Sequence, residues 1–194
     1  GLAVAKGFLE AGADVSITGT QKTGSDYEHD LSDFDYHSVD MRDRDALDTL
    51  VAGFDSLDVL VNNAGANLVT RNEWNPEVFE ESVRINLFGA FQLSVGLKPL
   101  LASSGCDGGG SILNVASMSS FIAVPLVPGY GAAKAAIVQM TKNMGVAWAT
   151  EGVRVNAVAP GLIETNMTAG MKGIGDRFPE GKMYLATMTD GSKK

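Results

Sequence analysis

Apolar positions recur along this chain in two rhythms, one helical and one strand-like, and the two alternate. Residues 2–11 read as a helix, because Leu2, Ala5, Phe8 and Leu9 share a face and Gly12 stops it. Residues 13–18 (ADVSIT) read as a strand closed by Gly19, and residues 20–35 are polar and irregular. Residues 36–39 form a short strand, and residues 43–54 a helix with Leu47, Leu50, Val51 and Phe54 inward. Residues 57–61 (LDVLV) make a near-continuous apolar strand, suited to a sheet buried on both faces. Residues 76–101 form a long helical region, with a break expected near Gly89 or Gly96. A loop at 103–110 leads to the strand 111–116 (SILNVA), the helix 130–150 and the strand 153–159 (VRVNAVA). Strands alternating with helices imply an α/β fold with a parallel sheet built by right-handed crossovers. From Gly161 the pattern dissolves among Gly170, Gly173, Gly175, Pro179, Gly181 and Gly191. That divides the chain into a body, 1–168, and a mobile, partly helical surface tail, 169–194.

Composition narrows the function classes. The 194 residues are 45% hydrophobic and 20% charged, as expected of one globular domain. A formal net charge of −8 leaves no basic stripe to neutralise phosphates, so nucleic acid is not an expected partner. No apolar run approaches the roughly 18 residues of a membrane span, and no membrane partner is expected. Lys6, Glu10 and Asp14 interrupt the first stretch, which is therefore not read as a signal peptide. The single cysteine, Cys106, fits a reducing, cytoplasmic setting. His29 and His37 with that one cysteine do not make a usual zinc site, and no metal is expected.

The candidate chemistry centres on Tyr130 and Lys134, at i and i+4, with Ser117 placed 13 residues before the tyrosine. Residues four apart lie on one helix face, so an ammonium comes near a phenol and lowers its pKa toward working pH. A phenol so tuned is a general acid/base, and the serine can supply a hydroxyl to the same reacting oxygen. Asn62-Asn63-Ala64-Gly65 follows the strand LDVLV, where open parallel sheets bind ligands, although a plain Asn/Gly turn has the same composition. Gly1 opens the first helix in the manner of a phosphate-loop glycine. Asp40 can accept from an adenine amino group or cap the helix beginning near Asp43. Asn86 is a poor helix-interior residue, which points to a task such as holding a water or a bent helix. After VRVNAVA, Pro160 and Gly161 turn the chain, so that backbone near Ile163 and the Thr165 hydroxyl can meet a planar amide.

Taken together these motifs resemble the short-chain dehydrogenase/reductase family, of the single-domain type, from residue 1 to about 168. The resemblance implies a Rossmann-type doubly wound sheet and a tetrad of Asn86, Ser117, Tyr130 and Lys134. It implies hydride transfer between a nicotinamide cofactor and an alcohol or ketone. Tyr130 would exchange a proton with the substrate oxygen, Ser117 would hold that oxygen, and Asn86 would position a water. Lys134 would bind the nicotinamide ribose. Cofactor contacts carry over to Gly1, Thr20, Asp40, Asn63, Ala64, Gly65, Tyr130, Lys134, Ile163 and Thr165. The stretch Gly19-Thr20-Gln21-Lys22 has no carboxylate to repel a 2′-phosphate, which favours NADP over NAD. Met118, Phe121, Ile122, Val124, Leu126 and Val127 would make an apolar wall for the substrate. The resemblance also implies a homodimer or homotetramer formed through the Asn86 and Tyr130 helices.

The family's first strand and glycine-rich phosphate loop, and its last strand, have no counterpart here, so the chain reads as a fragment of a longer enzyme. Its competitor is a catalytically inactive scaffold of the same fold.

Overall fold

The computed structural model describes residues 1–163, 167 and 184–186, the last three as backbone. The order is α1 (Leu2–Glu10), β1 (Ser16–Gly19), β2 (Asp35–Ser38), α2 (Arg44–Ala52) and β3 (Val59–Asn62). There follow α3 (Pro76–Val83), α4 (Gly89–Ala102), β4 (Gly110–Val115), α5 (Pro128–Trp148), β5 (Val153–Ala159) and β6 (Tyr184–Ala186). Asp43 caps α2 by accepting from the Ala46 N–H, and Asn75 caps α3 by accepting from that of Glu77. The cap role weighed for Asp40 therefore falls to Asp43.

Strands β3, β4 and β5 lie parallel and adjacent, as the interleaved rhythm requires. The fold is the expected parallel α/β arrangement. β6 runs antiparallel beside β5, so these three tail residues are extended where a partly helical segment was expected; the rest of 169–194 lies outside the described residues. β1 and β2 pair in parallel with each other and form a separate sheet.

Helices α4 and α5 cover one face of the larger sheet. Leu101, Ile112, Met144, Val153 and Val155 make its buried core there. A second cluster joins Val39, Leu47, Leu50, Leu93 and Leu97, where α2 packs on α4. Burial alternates along β4 and β5, with one side buried and the other mostly half-buried. The expectation of burial on both faces for residues 57–61 is not met, since Asp58 and Val59 are exposed and Leu57, Leu60 and Val61 are half-buried.

The break expected near Gly89 is a π-turn, Arg84–Phe88, which joins α3 to α4 without ending the helix. The continuous helix Pro76–Ala102 has 27 residues and a mean hydropathy of 1.3 in its most apolar window, which by length and composition suffices to cross a membrane. The sequence expectation of no such run does not hold. The helix nevertheless packs against α2 and α5 and carries a buried polar residue, Asn86, at its bend.

Candidate active site

The site lies beyond the carboxyl end of β4. Ser117 follows that strand and starts the short turn Met118–Ser120, where its hydroxyl accepts from the Ser119 N–H at 3.2 Å. Pro128 at the start of α5 presets the helix, and Tyr130 occupies the first turn. Lys134, one turn on, is 3% exposed. Its Nζ donates to the Val115 carbonyl at 2.7 Å and stands 5.6 Å from the Tyr130 ring centroid. The structure brings Ser117, Tyr130 and Lys134 together as the motif spacing implied.

The electrostatics differ from expectation. The Tyr130 phenol sits above its ordinary value, first because burial disfavours phenolate. The Ser117 hydroxyl offsets part of that rise, and the charge of Glu73 adds to it. The expected lowering by Lys134 is overturned, since desolvation dominates and the ammonium is drawn to a backbone carbonyl. Burial also pushes Lys134 down from 10.5 to about 8.

Asn86 is 2% exposed and lies inside the π-turn. Its Nδ2 donates to the carbonyls of Ala66 at 2.7 Å and Ser82 at 2.8 Å, and its Oδ1 accepts from the Ala66 N–H at 3.1 Å. The bent-helix reading is the one the geometry displays, with both amide hydrogens committed. Gly65 allows this approach, because a Cβ there would stand 2.6 Å from Asn86 Oδ1 and 3.5 Å from Lys134 Nζ. Asn62 serves the scaffold: its Nδ2 donates to Ser94 Oγ at 2.9 Å and Asn114 Oδ1 at 2.8 Å. Asn114 in turn donates to Thr141 Oγ1 at 2.9 Å, so one buried polar chain ties β3 and β4 to α4 and α5.

The cofactor-side residues fall into separate groups. Gly1 abuts Asn63, where a Cβ on the glycine would meet Asn63 Nδ2 at 2.8 Å. Ala64 is exposed and Gly65 half-buried beside them. Thr20 follows β1 of the smaller sheet, and its N–H donates to the Tyr27 hydroxyl at 3.1 Å; that of Gln21 does so at 3.3 Å. The Asp40 carboxylate is taken by Arg42, whose guanidinium holds it below the usual range. Arg42 also reaches Glu81 at 2.8 Å. Ile163 is exposed at the end of the continuous described stretch, and Thr165 lies outside the described residues. Of the apolar wall, Phe121, Ile122 and Leu126 are exposed, whereas Val127 is buried.

The Lys134 environment fits a cofactor ribose. Among the described residues the Val115 carbonyl is the one hydrogen-bond acceptor assigned to this buried ammonium, which carries three N–H donors. Two donors remain for a pair of hydroxyls.

Sequence reading passed over Glu73. This carboxyl is fully buried at 0% exposure, and accepts from the backbone N–H groups of Leu68 and Tyr130, each at 2.8 Å. An acid flanked by Asn72 and Trp74 in an aperiodic stretch gives no signal of burial.

The family model for short chain dehydrogenases matches residues 1–173. The chain is similar to 2-dehydro-3-deoxy-D-gluconate 5-dehydrogenase of Pseudoalteromonas atlantica, 34% identical over 202 residues, covering 94% of this chain and 78% of that protein. It is similar to 3alpha-hydroxysteroid dehydrogenase of Mediterraneibacter gnavus, 32% identical over 88% of this chain and 72% of that protein. Among solved structures it resembles a putative NAD(P)-dependent gluconate 5-dehydrogenase from Beutenbergia cavernae with bound NADP. That likeness has a TM-score of 0.80 and 31% identity, over 91% of this chain and 73% of the other. The chain therefore belongs to the short chain dehydrogenase family, and its class is that of oxidoreductases.

Proposed function

We propose that this chain catalyses hydride exchange between NADP and a secondary alcohol or ketone, with Tyr130 as the acid/base. The carrying observation is the convergence of Ser117, Tyr130 and a buried Lys134 with spare donors beyond β4. When bound, the nicotinamide cofactor supplies the hydride donor or acceptor. Lys134 holds its ribose hydroxyls, and the Asn63–Gly65 turn lines its path. A phenol held above its ordinary value is protonated near neutrality, so Tyr130 is poised to give a proton to a ketone oxygen. Ser117 orients that oxygen by hydrogen bonding. The end of β1 supports NADP, because Thr20, Gln21 and Lys22 place no carboxylate beside a 2′-phosphate. Exposed Phe121, Ile122 and Leu126 support a partly apolar substrate face.

The test combines cofactor binding with turnover. Y130F is expected to keep thermal stabilisation by NADPH and to lose ketone reduction, across a panel running from a deoxy-keto-gluconate to an apolar cyclic ketone. Retained turnover in Y130F would defeat the acid/base assignment, and NADH outcompeting NADPH would defeat the cofactor choice. The separation of β1–β2 from the larger sheet favours a second reading, a non-catalytic dinucleotide-fold scaffold. No stabilisation by millimolar NADPH or NADH would support it.

A cytoplasmic homo-oligomer completes the proposal. The exposed thiol of Cys106 suits a reducing compartment. Phe88, Phe91 and Val95 form an exposed apolar stripe on the Asn86 helix, and Val146 is exposed on α5.

A further inference from the structure

The first four N–H groups of a helix have no partner within it. In α5 the residue before the helix is Val127, which carries no side-chain acceptor, and no local side chain caps the end. The N–H of Tyr130 is satisfied from 57 positions away by Glu73 Oε2. The other carboxyl oxygen, Oε1, accepts from the Leu68 N–H. A fully buried acid is ordinarily paired with a cation. Among the described residues no lysine or arginine makes a salt bridge to Glu73, and its hydrogen-bond partners are these two backbone donors.

The carboxyl also has a fitted place. A Cβ at Gly129 would stand 3.1 Å from the Phe79 carbonyl and 3.2 Å from Glu73 Oε2, so the glycine is what admits it. The segment 66–72 that Glu73 anchors borders the site. Asn86 grips it at Ala66, Asn67 Nδ2 donates to the Met167 carbonyl at 3.1 Å, and next door Trp74 Nε1 donates to the Pro125 carbonyl at 2.8 Å.

Resting on the acid/base role proposed for Tyr130, we propose that Glu73 is a positioning residue that couples the 66–72 segment to the first turn of α5. One side chain then sets the distance between the substrate-side segment and the reacting phenol. Its charge, held at the Tyr130 backbone, also adds to the rise of that phenol. The remaining charges on the packed elements lie outward: Arg71 pairs with Glu81 and Arg84 with Glu80, while Glu77 is exposed on α3. The turn Met118–Ser120 contributes no ionisable side chain.

The experiment uses the full chain, and its titration and exchange measurements need no substrate. Phenolate absorbance is titrated in the wild type and Y130F, and in E73Q and the E73Q/Y130F pair; each difference isolates Tyr130. Amide hydrogen exchange is followed in the same proteins. E73Q is expected to lower the Tyr130 midpoint, because the charge that raises it is removed. Gln keeps one acceptor oxygen and turns an NH2 toward the other donor, so E73Q should also speed exchange of at least one of the Leu68 and Tyr130 amides about tenfold, with β4 and β5 unaffected. E73D, which keeps the charge but is shorter by one methylene, should leave the midpoint near wild type while releasing one amide. An unchanged midpoint in folded E73Q overturns the proposal, as does full protection of both amides. If E73Q does not fold, E73D decides, and retention of both protected amides there overturns the coupling. In ketone reduction E73Q should lower kcat with little change in KM. If Y130F retains turnover, the acid/base reading falls, and the Glu73 coupling stands or falls on exchange and titration.

Discussion

Replacing Asn86 by alanine should lower the unfolding free energy by about 3 kcal/mol, with a range of about 2–4, because three hydrogen bonds of about 1 kcal/mol each are removed. The lost partners are the carbonyls of Ala66 and Ser82 and the N–H of Ala66. Ser82 is fully buried, so its carbonyl has no easy replacement, whereas water can reach half-buried Ala66 in part. Against a total of about 5–15 kcal/mol for an ordinary domain, such a loss is large. Urea unfolding of wild type and N86A, at one protein concentration, measures it as a midpoint shift at constant slope. N86L separates bonding from packing, since it restores bulk without donors and should stay near N86A. A loss under about 1 kcal/mol in N86A, at constant slope, would refute the claim that this amide pins the bend to the segment after Gly65.

The pH dependence of stability carries a second prediction through Lys134, held at about 8 against an ordinary 10.5. Below about 8 both folded and unfolded chains are protonated, and the burial penalty is fully present. As pH rises from about 8 toward 10.5 the folded chain has released the proton that the unfolded chain keeps, so this group's contribution raises stability. K134M should flatten that rise in urea midpoints taken across the window, and parallel profiles would count against it. G65A places a Cβ 2.6 Å from Asn86 Oδ1, so it should cost about 1–3 kcal/mol and lower Tm by several degrees in a thermal melt. F91E, at a side chain 51% exposed on the apolar stripe, should turn any oligomer into monomer by light scattering without unfolding the chain.

How much of this was legible depends on the range of the interaction. β5 was read at its observed bounds, since buried and more exposed positions alternate along VRVNAVA. α5 begins two residues before the expected start, because Pro128 presets a turn that apolar periodicity does not register. Asn86 flagged its own bend through a poor helical preference. Glu73 stayed hidden because its partners are five and 57 residues away and are backbone groups, which leave no side-chain signature. The sense of the Tyr130 shift was hidden for a related reason. Spacing reveals a neighbouring ammonium, but burial of the phenol depends on how α5 seats against the end of β4. Similarly, Tyr27 claims the Thr20 and Gln21 amides through a loop fold that no motif announces.

The π-turn has a consequence for what lengths this helix tolerates. Seven of its buried positions, Val78, Ser82, Asn86, Gly89, Leu93, Leu97 and Leu101, advance mostly by four, and Ser94 is buried beside Leu93. Each step of four overshoots a full α-helical turn by about 40°, and over the whole run the overshoot would accumulate to about 140°. The π-turn holds roughly one additional residue, and so takes back about 100° of that rotation. It works as a vernier between two scales that do not divide evenly. Deleting one residue from 84–88 would leave a regular helix with the same facing, but winding the full sequence as regular α-helix would turn its two ends about 100° apart. Either the leucines of α4 or the contacts around Ser82 and Asn86 would swing toward solvent.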